Sequence, residues 1–242
     1  MSAASAPATT VTTAGTVVLI LADMSDWREP LNRAARLAAV SGRKLRVIVA
    51  DGGELLAAAS LACAHLMAPG GLISAFEPRQ ARRLLKAQIA RLRLELARLA
   101  PALGIEAELI EPAAGPPGDF WAGSTALTVF GRRRRGVLMV VHAGSAATLE
   151  IAARLAAEGR QKVRLLKTGP GPAGEAAVAE RISRLIGPWL EEPTAGLGAD
   201  APLARSADER IATLVLDPAY VEARQLQLDA LLREIRQLMQ GA

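Results

Sequence analysis

The hydrophobic positions of this 242-residue chain fall into short apolar runs, separated by segments in which apolar residues recur three and four apart. Short apolar runs bounded by glycine or a polar residue are typical of buried parallel strands, and the three-and-four spacing is typical of helices. We predict strands at residues 16–22, 45–50, 105–110, 126–130, 137–142, 162–166 and 211–216, and helices at 27–40, 54–68, 78–99, 146–158, 175–185 and 220–239. The alternation predicts an α/β fold, doubly wound around an open parallel sheet.

The pattern of the first half recurs in the second half. Residues 34–47 have the sequence AARLAAVSGRKLRV and residues 152–165 have AARLAAEGRQKVRL. Each copy follows an apolar run that ends in a small, polar elbow, VVLILADMSD in the first copy and VLMVVHAGSA in the second, so that His142 stands where the first copy has Asp23. A strand, elbow, helix and strand that occur twice predict two tandem units, of which the second is shorter.

The junction between the two units is short. Six residues, GRRRRG, separate the strand at 126–130 from the strand at 137–142. A parallel neighbour needs a crossover of about a dozen residues or more. The two strands must therefore form an antiparallel pair, or the second begins a new sheet, and we favour a new sheet because the repeat restarts there. We expect a flexible tail (1–15), a first domain (16–135) and a shortened second domain with a C-terminal helix (136–242).

Composition narrows the class of protein. Apolar residues make up 51% of the chain, charged residues 22% and aromatic residues 3%, which indicates a folded protein with an aliphatic core. A net charge of +5 gives little support for nucleic-acid binding. Cys63 is the single cysteine, so the chain cannot hold an internal disulfide framework. Neither a secretory signal nor an apolar run of about 20 residues is evident. We expect a cytoplasmic protein that binds neither membrane nor nucleic acid.

The order of these elements, with Asp23-Met24-Ser25 after the first strand, resembles the universal stress protein family. The resemblance covers residues 16–135 and returns in degenerate form over 136–216. It implies an open parallel sheet that holds ATP or a related nucleotide at the carboxyl ends of its strands. In ATP-binding members the aspartate after strand one faces the nucleoside, which here is Asp23, in one elbow with Ser25. The end of strand two lines the base pocket, here Val49 and Ala50. Asp23 is equally suited to cap the helix that follows.

The phosphate site implied by the resemblance is incomplete. In the family, phosphates lie in a loop of Gly, two residues, Gly, nine residues, and Gly with Ser or Thr. Glycines let backbone N–H groups approach the anion, and a following helix adds its dipole. This chain has Gly131, then Arg132 to Arg135 and Gly136, so the glycine-rich cradle is missing. Arg132 and its neighbours could bind phosphate through their side chains. The alternative is a solvated linker between the halves.

The sequence offers no catalytic motif. It has no Walker loop, no Gly-x-Ser-x-Gly elbow and no pair of histidines at metal-binding spacing. The leading hypothesis is a non-enzymatic binding or signalling module of the universal stress protein type, without strong nucleotide binding and without a firmly assigned cofactor. The alternatives are an ATP-binding, slowly hydrolysing member, and an internal pseudo-dimer that docks an unidentified protein partner. The C-terminal helix leaves a homodimer open.

Overall fold

The computed structural model describes residues 15–21, 24, 26–49, 59–61, 65–67, 73–75, 77–111, 123–130, 136–168, 175–190, 195–197, 211–224 and 230–235. The strands are β1 (Thr16–Leu21), β2 (Lys44–Val49), β3 (His65–Met67), β4 (Ile73–Ala75), β5 (Ala107–Ile110), β6 (Ser124–Phe130), β7 (Val137–His142), β8 (Val163–Thr168), β9 (Ala195–Leu197) and β10 (Ile211–Leu216). The helices are α1 (Arg28–Ser41), α2 (Pro78–Leu103), α3 (Ala146–Gly159), α4 (Glu175–Leu185) and α5 (Pro218–Ala223), with a 3-10 turn at Gly187–Trp189.

Eight of these strands form one sheet in the order β5-β2-β1-β6-β10-β7-β8-β9. Every neighbouring pair in it is parallel except β6 and β10, which are antiparallel. Strands β3 and β4 form a separate two-stranded sheet. The predicted α/β fold with a mostly parallel sheet is confirmed.

The expectation that a new sheet begins at β7 is wrong. Strand β7 belongs to the same sheet as β6, with β10 between them. Because β10 is antiparallel to β6 and parallel to β7, the chain reverses direction between β6 and β7. Two inter-strand steps of about 4.8 Å separate them, which six residues reach easily. The short junction left a reversal of direction as the less favoured alternative, and it could not show that a strand some 70 residues further on would be inserted.

The two halves share strand order and pairing register. In the first half, β6 skips one residue in its pairing with β1. In the second half, β10 skips one residue in its pairing with β7. The pairs around the skipped residue are Thr16↔Ser124 and Val17↔Ala126 in one half, and Val137↔Ile211 and Leu138↔Thr213 in the other. Counted along the strands from these pairs, Leu21 is equivalent to His142, and Phe130 is equivalent to Asp217.

Helices cover both faces of the sheet. Helices α1, α2 and α3 pack on one face, where Leu31 of α1 and Ile151 of α3 are fully buried. Helix α5 and the helical residues 230–235 pack on the other face through Val221 and Leu231. No helix in the described part of the chain is both long and apolar enough to cross a membrane.

Several element boundaries differ from the prediction. The predicted helix at 54–68 ends in strand β3, which pairs with β4. The predicted loop at 187–200 contains the 3-10 turn and β9. The predicted helix at 220–239 begins earlier, at Pro218, where Asp217 caps it, and α5 ends at Ala223.

Candidate functional site

The carboxyl ends of β2, β1 and β6 meet at one edge of the sheet. Strand β1 lies between the other two, and all three are parallel. The chain runs from β1 to β2 on one side and returns to β6 on the other, so its winding reverses at β1. In open α/β sheets, ligands bind in the crevice outside such a switch point. The edge between β1 and β6 is therefore the candidate site of the first half.

One of the sequence-predicted site residues lies in the described part of the chain. Val49 is the last residue of β2, where it pairs with Leu21. Its side chain is fully buried in the core, so it can offer a ligand only its main chain. The other candidates are Asp23, Ser25, Ala50, Gly131 and Arg132, and they lie outside the described residues. Their roles stay predictions.

The structure brings an unpredicted pair of side chains to this edge. Phe130 is the last residue of β6, and the guanidinium carbon of Arg33 lies 4.5 Å from the centre of its ring. This distance is within the range of cation–π attraction. Arg33 belongs to α1, which follows the elbow after β1. A cation of α1 is thus held beside the carboxyl end of β6, which sequence spacing could not reveal.

Gly136 is the first described residue after β6. Gly136 is followed directly by β7. No helix therefore begins at the glycine where the family's loop would deliver the phosphate to a helix N-terminus.

A polar cleft of about 630 Å³ lies between α1 and the end of α3. Its lining residues are Glu29, Asn32, Arg33, Arg36, Glu158, Gly159 and Gln161. The two arginines and two glutamates balance in formal charge, so the cleft favours neither anions nor cations on charge alone.

The equivalent corner, between α3 and the end of α1, is filled. Arg43 stands two residues before Leu45, as Gln161 stands two before the equivalent Val163. The Arg43 side chain is 9% exposed, and its Nη2 lies 3.9 Å from Glu150 Oε2. Its Nε and Nη1 are buried without a hydrogen-bond partner among the described residues. Burial lowers the pKa of Arg43, although the negative charge of Glu150 acts to raise it. Arg154 spans the same corner and donates to the Val40 carbonyl at 2.9 Å.

The second elbow differs from the sequence-based alignment. His142 is the last residue of β7 and is equivalent to Leu21, so it does not replace Asp23. Its side chain is buried, and its carbonyl accepts a hydrogen bond from Thr168 Oγ1 at 3.2 Å. The sequence-based alignment is displaced by two positions because the elbow between strand and helix is shorter in the second half.

A buried carboxylate occupies the second elbow. Asp217 follows β10 and is 2% exposed. Its Oδ2 accepts hydrogen bonds from the backbone N–H groups of Ala143 at 3.1 Å and Ser145 at 3.2 Å, and its Oδ1 accepts one from Ala219 at 3.1 Å. Asp217 was not among the site residues predicted from the sequence. The signal was an aspartate between a buried strand and Pro218, which is a usual start of a helix.

Metal-binding and other reactive groups add nothing further in the described part of the chain. No cluster of three histidine, cysteine, aspartate or glutamate side chains there is arranged to hold a metal ion. His65 is exposed on β3, and Cys63 lies outside the described residues.

Comparison with solved structures finds several similar chains, among them the three that follow. A universal stress protein from Archaeoglobus fulgidus DSM 4304 is 8% identical, with 95% of this chain and 94% of that chain covered and a TM-score of 0.31. A protein of Pseudomonas aeruginosa UCBPP-PA14 assigned as a universal stress protein is 12% identical, with 92% and 99% covered and a TM-score of 0.33. The functionally unknown protein PA1789 of Pseudomonas aeruginosa PAO1 is 12% identical, with 93% and 98% covered and a TM-score of 0.33.

No protein-family model matches the sequence, and no curated protein matches it. At these identities and TM-scores, the three structures carry no argument about a ligand. The fold class rests on the strand order and register of the chain itself.

Proposed function

We propose that this chain is a non-enzymatic binding module built as two universal-stress-protein-like units, and that its first unit binds a nucleotide weakly. The repeated sequence supports the two units, as does the register that β1 and β6 share with β7 and β10. Cytoplasmic location and a stress-linked role are parts of the same proposal.

The observation that carries the proposal is the switch point between β1 and β6. Asp23 and Ser25 follow β1 within four residues, and Gly131 and Arg132 follow β6 directly. Residues in these positions border the crevice in which open α/β sheets bind ligands. The main chain at Val49 borders the same edge from β2, and Ala50 follows it in the sequence, where the resemblance implies a base pocket.

Weak binding follows from the incomplete phosphate site. A glycine-rich loop and helix would offer several backbone N–H groups already held in place. Here the available cations are arginine side chains, Arg33 beside Phe130 and the run from Arg132. Flexible side chains lose conformational freedom when they bind, which lowers the affinity that their charge provides.

The test is thermal unfolding of the full chain with ATP and magnesium, in parallel with ADP and adenosine. We expect a saturable rise in the melting temperature at millimolar ATP, lost in Asp23→Ala and reduced in Arg132→Ala/Arg133→Ala. Arg181→Ala/Arg184→Ala is the charge-matched control, because both residues are exposed on α4, in the second half of the chain. No rise at millimolar ATP in the unaltered protein would refute nucleotide binding.

A scaffold function is the second candidate, favoured by the antiparallel pairing of β6 with β10. Through this pair the two halves form one continuous sheet, as two subunits of a dimer do when their edge strands pair. Such a pseudo-dimer would dock a protein partner without needing a nucleotide. Partner capture that is unchanged by Asp23→Ala would favour the scaffold.

A further inference from the structure

The second half contains its own switch point, between β7 and β10, and the Asp217 carboxylate lies in it. Both carboxylate oxygens are engaged by backbone donors from two separate segments, the elbow at Ala143 and Ser145 and the first turn of α5 at Ala219. The Asp217 N–H donates to the Val141 carbonyl at 2.9 Å, which fixes the residue beside the end of β7.

The elbow that receives this carboxylate has the chemistry of an anion site. Gly144 between the two donors has a φ of +104°, in the region that glycine adopts readily. Alternate N–H groups of such a turn converge on one point and hold anions. Ser145 caps α3, so the positive end of the helix dipole lies at the same place.

The first half lacks an equivalent carboxylate. By strand register, Phe130 holds the position of Asp217, and its ring contacts the Arg33 guanidinium. A phenyl ring has no oxygen to accept hydrogen bonds from an elbow. The two halves therefore differ at this position, which has a carboxylate in the second half and a phenyl ring in the first.

We infer that Asp217 is an internal ligand whose carboxylate fills the anion site of the second half and closes it to phosphate-bearing molecules. Of the two switch points, only that of the first half is then left for a phosphate-bearing ligand. This inference concerns the second half alone and does not depend on nucleotide binding in the first.

Removal of the carboxylate should uncover a site for a small oxyanion. In Asp217→Ala the missing group has the size of formate, and in Asp217→Gly it has the size of acetate. The Gly variant is a second route to a folded protein, because glycine is tolerated at a helix N-cap. Thermal unfolding of the full chain is followed in sodium formate, sodium acetate and sodium chloride at equal ionic strength.

We expect formate to stabilise Asp217→Ala, and acetate to stabilise Asp217→Gly, saturably and beyond chloride. At ten times the dissociation constant the melting temperature rises by about 3 to 6 °C. The unaltered protein should show no such difference between the anions. Glu77→Ala is the matched control, because Glu77 is an exposed carboxylate at the N-cap of α2 whose partners water can replace.

The contrary result is equally clear. Variants that fold and respond to formate and acetate as the unaltered protein does would overturn the inference. If both variants are unfolded in chloride, recovery of folding by the fitting anion supports the inference, and no recovery with either anion overturns it.

Discussion

Replacement of Arg43 by methionine should stabilise the protein. The guanidinium is buried, and its Nε and Nη1 have no hydrogen-bond partner among the described residues. A buried donor without an acceptor costs about 1 to 3 kcal/mol. The facing carboxylate of Glu150 is 44% exposed and lies 3.9 Å away. An ion pair of that kind contributes about 0 to 1 kcal/mol to the free energy of unfolding. Methionine keeps an unbranched apolar stem of similar shape.

The expected gain in the free energy of unfolding for Arg43→Met is about 1 to 3 kcal/mol, because neutral replacement of a poorly compensated buried ion is often stabilising. Urea denaturation measures it directly, and each kcal/mol should raise the melting temperature by about 2 to 4 °C. Arg36→Met is the control, because Arg36 is exposed on α1 and its loss should change stability by about 0.5 kcal/mol or less. A loss of stability of about 1 kcal/mol or more in Arg43→Met would refute the reasoning.

Three further predictions concern stability and assembly. Arg160 ends α3 in the left-handed region, with a φ of +47°, whereas the equivalent residue at the end of α1 is Gly42. Because this conformation strains a residue with a side chain, Arg160→Gly should raise the free energy of unfolding by about 0.5 to 1 kcal/mol in urea denaturation. A loss of stability in Arg160→Gly would contradict such strain. Burial raises the pKa of Tyr220, the one tyrosine of the sequence. The stability that the neutral phenol contributes is therefore fully present below the unfolded pKa of about 10, and it is lost as the pH rises through the folded pKa. Ultraviolet titration of the tyrosinate reports this shift, and a midpoint at or below the value in the unfolded protein would contradict it. A fragment ending at residue 135 leaves the β6 edge without β10 and should dimerise or aggregate in analytical ultracentrifugation, whereas a stable monomer would show that the pairing is dispensable.

The strands and the main helices could be predicted because their signals are local. The apolar runs at β1, β7 and β10 are bounded by polar or glycine residues, and the spacing of buried residues in α1 marks its inner face. The insertion of β10 between β6 and β7 could not be predicted, because strand pairing depends on a partner distant in the sequence. Periodicity also cannot separate a short apolar helix from a strand, which is why β3 was missed.

The strands that border the candidate site could be predicted from the sequence, whereas the residues of the site stay predictions. The elbow after β1 and the residues after β6 follow, in the sequence, the two strands that define the switch point. Strand register, however, shows that His142 is equivalent to Leu21 and that Phe130 is equivalent to Asp217. A repeat aligned on sequence alone cannot reveal this, because the elbows differ in length while the strands pair in the same way.

The central claim is that the two halves share one architecture but only the first has an open ligand crevice. Native mass spectrometry of the full chain, titrated with ATP and magnesium up to millimolar concentration, tests it most directly. The account predicts one bound nucleotide per chain, and loss of that nucleotide in Asp23→Ala. Two nucleotides per chain would contradict the closure by Asp217, and the absence of any bound nucleotide would contradict the crevice at β1 and β6.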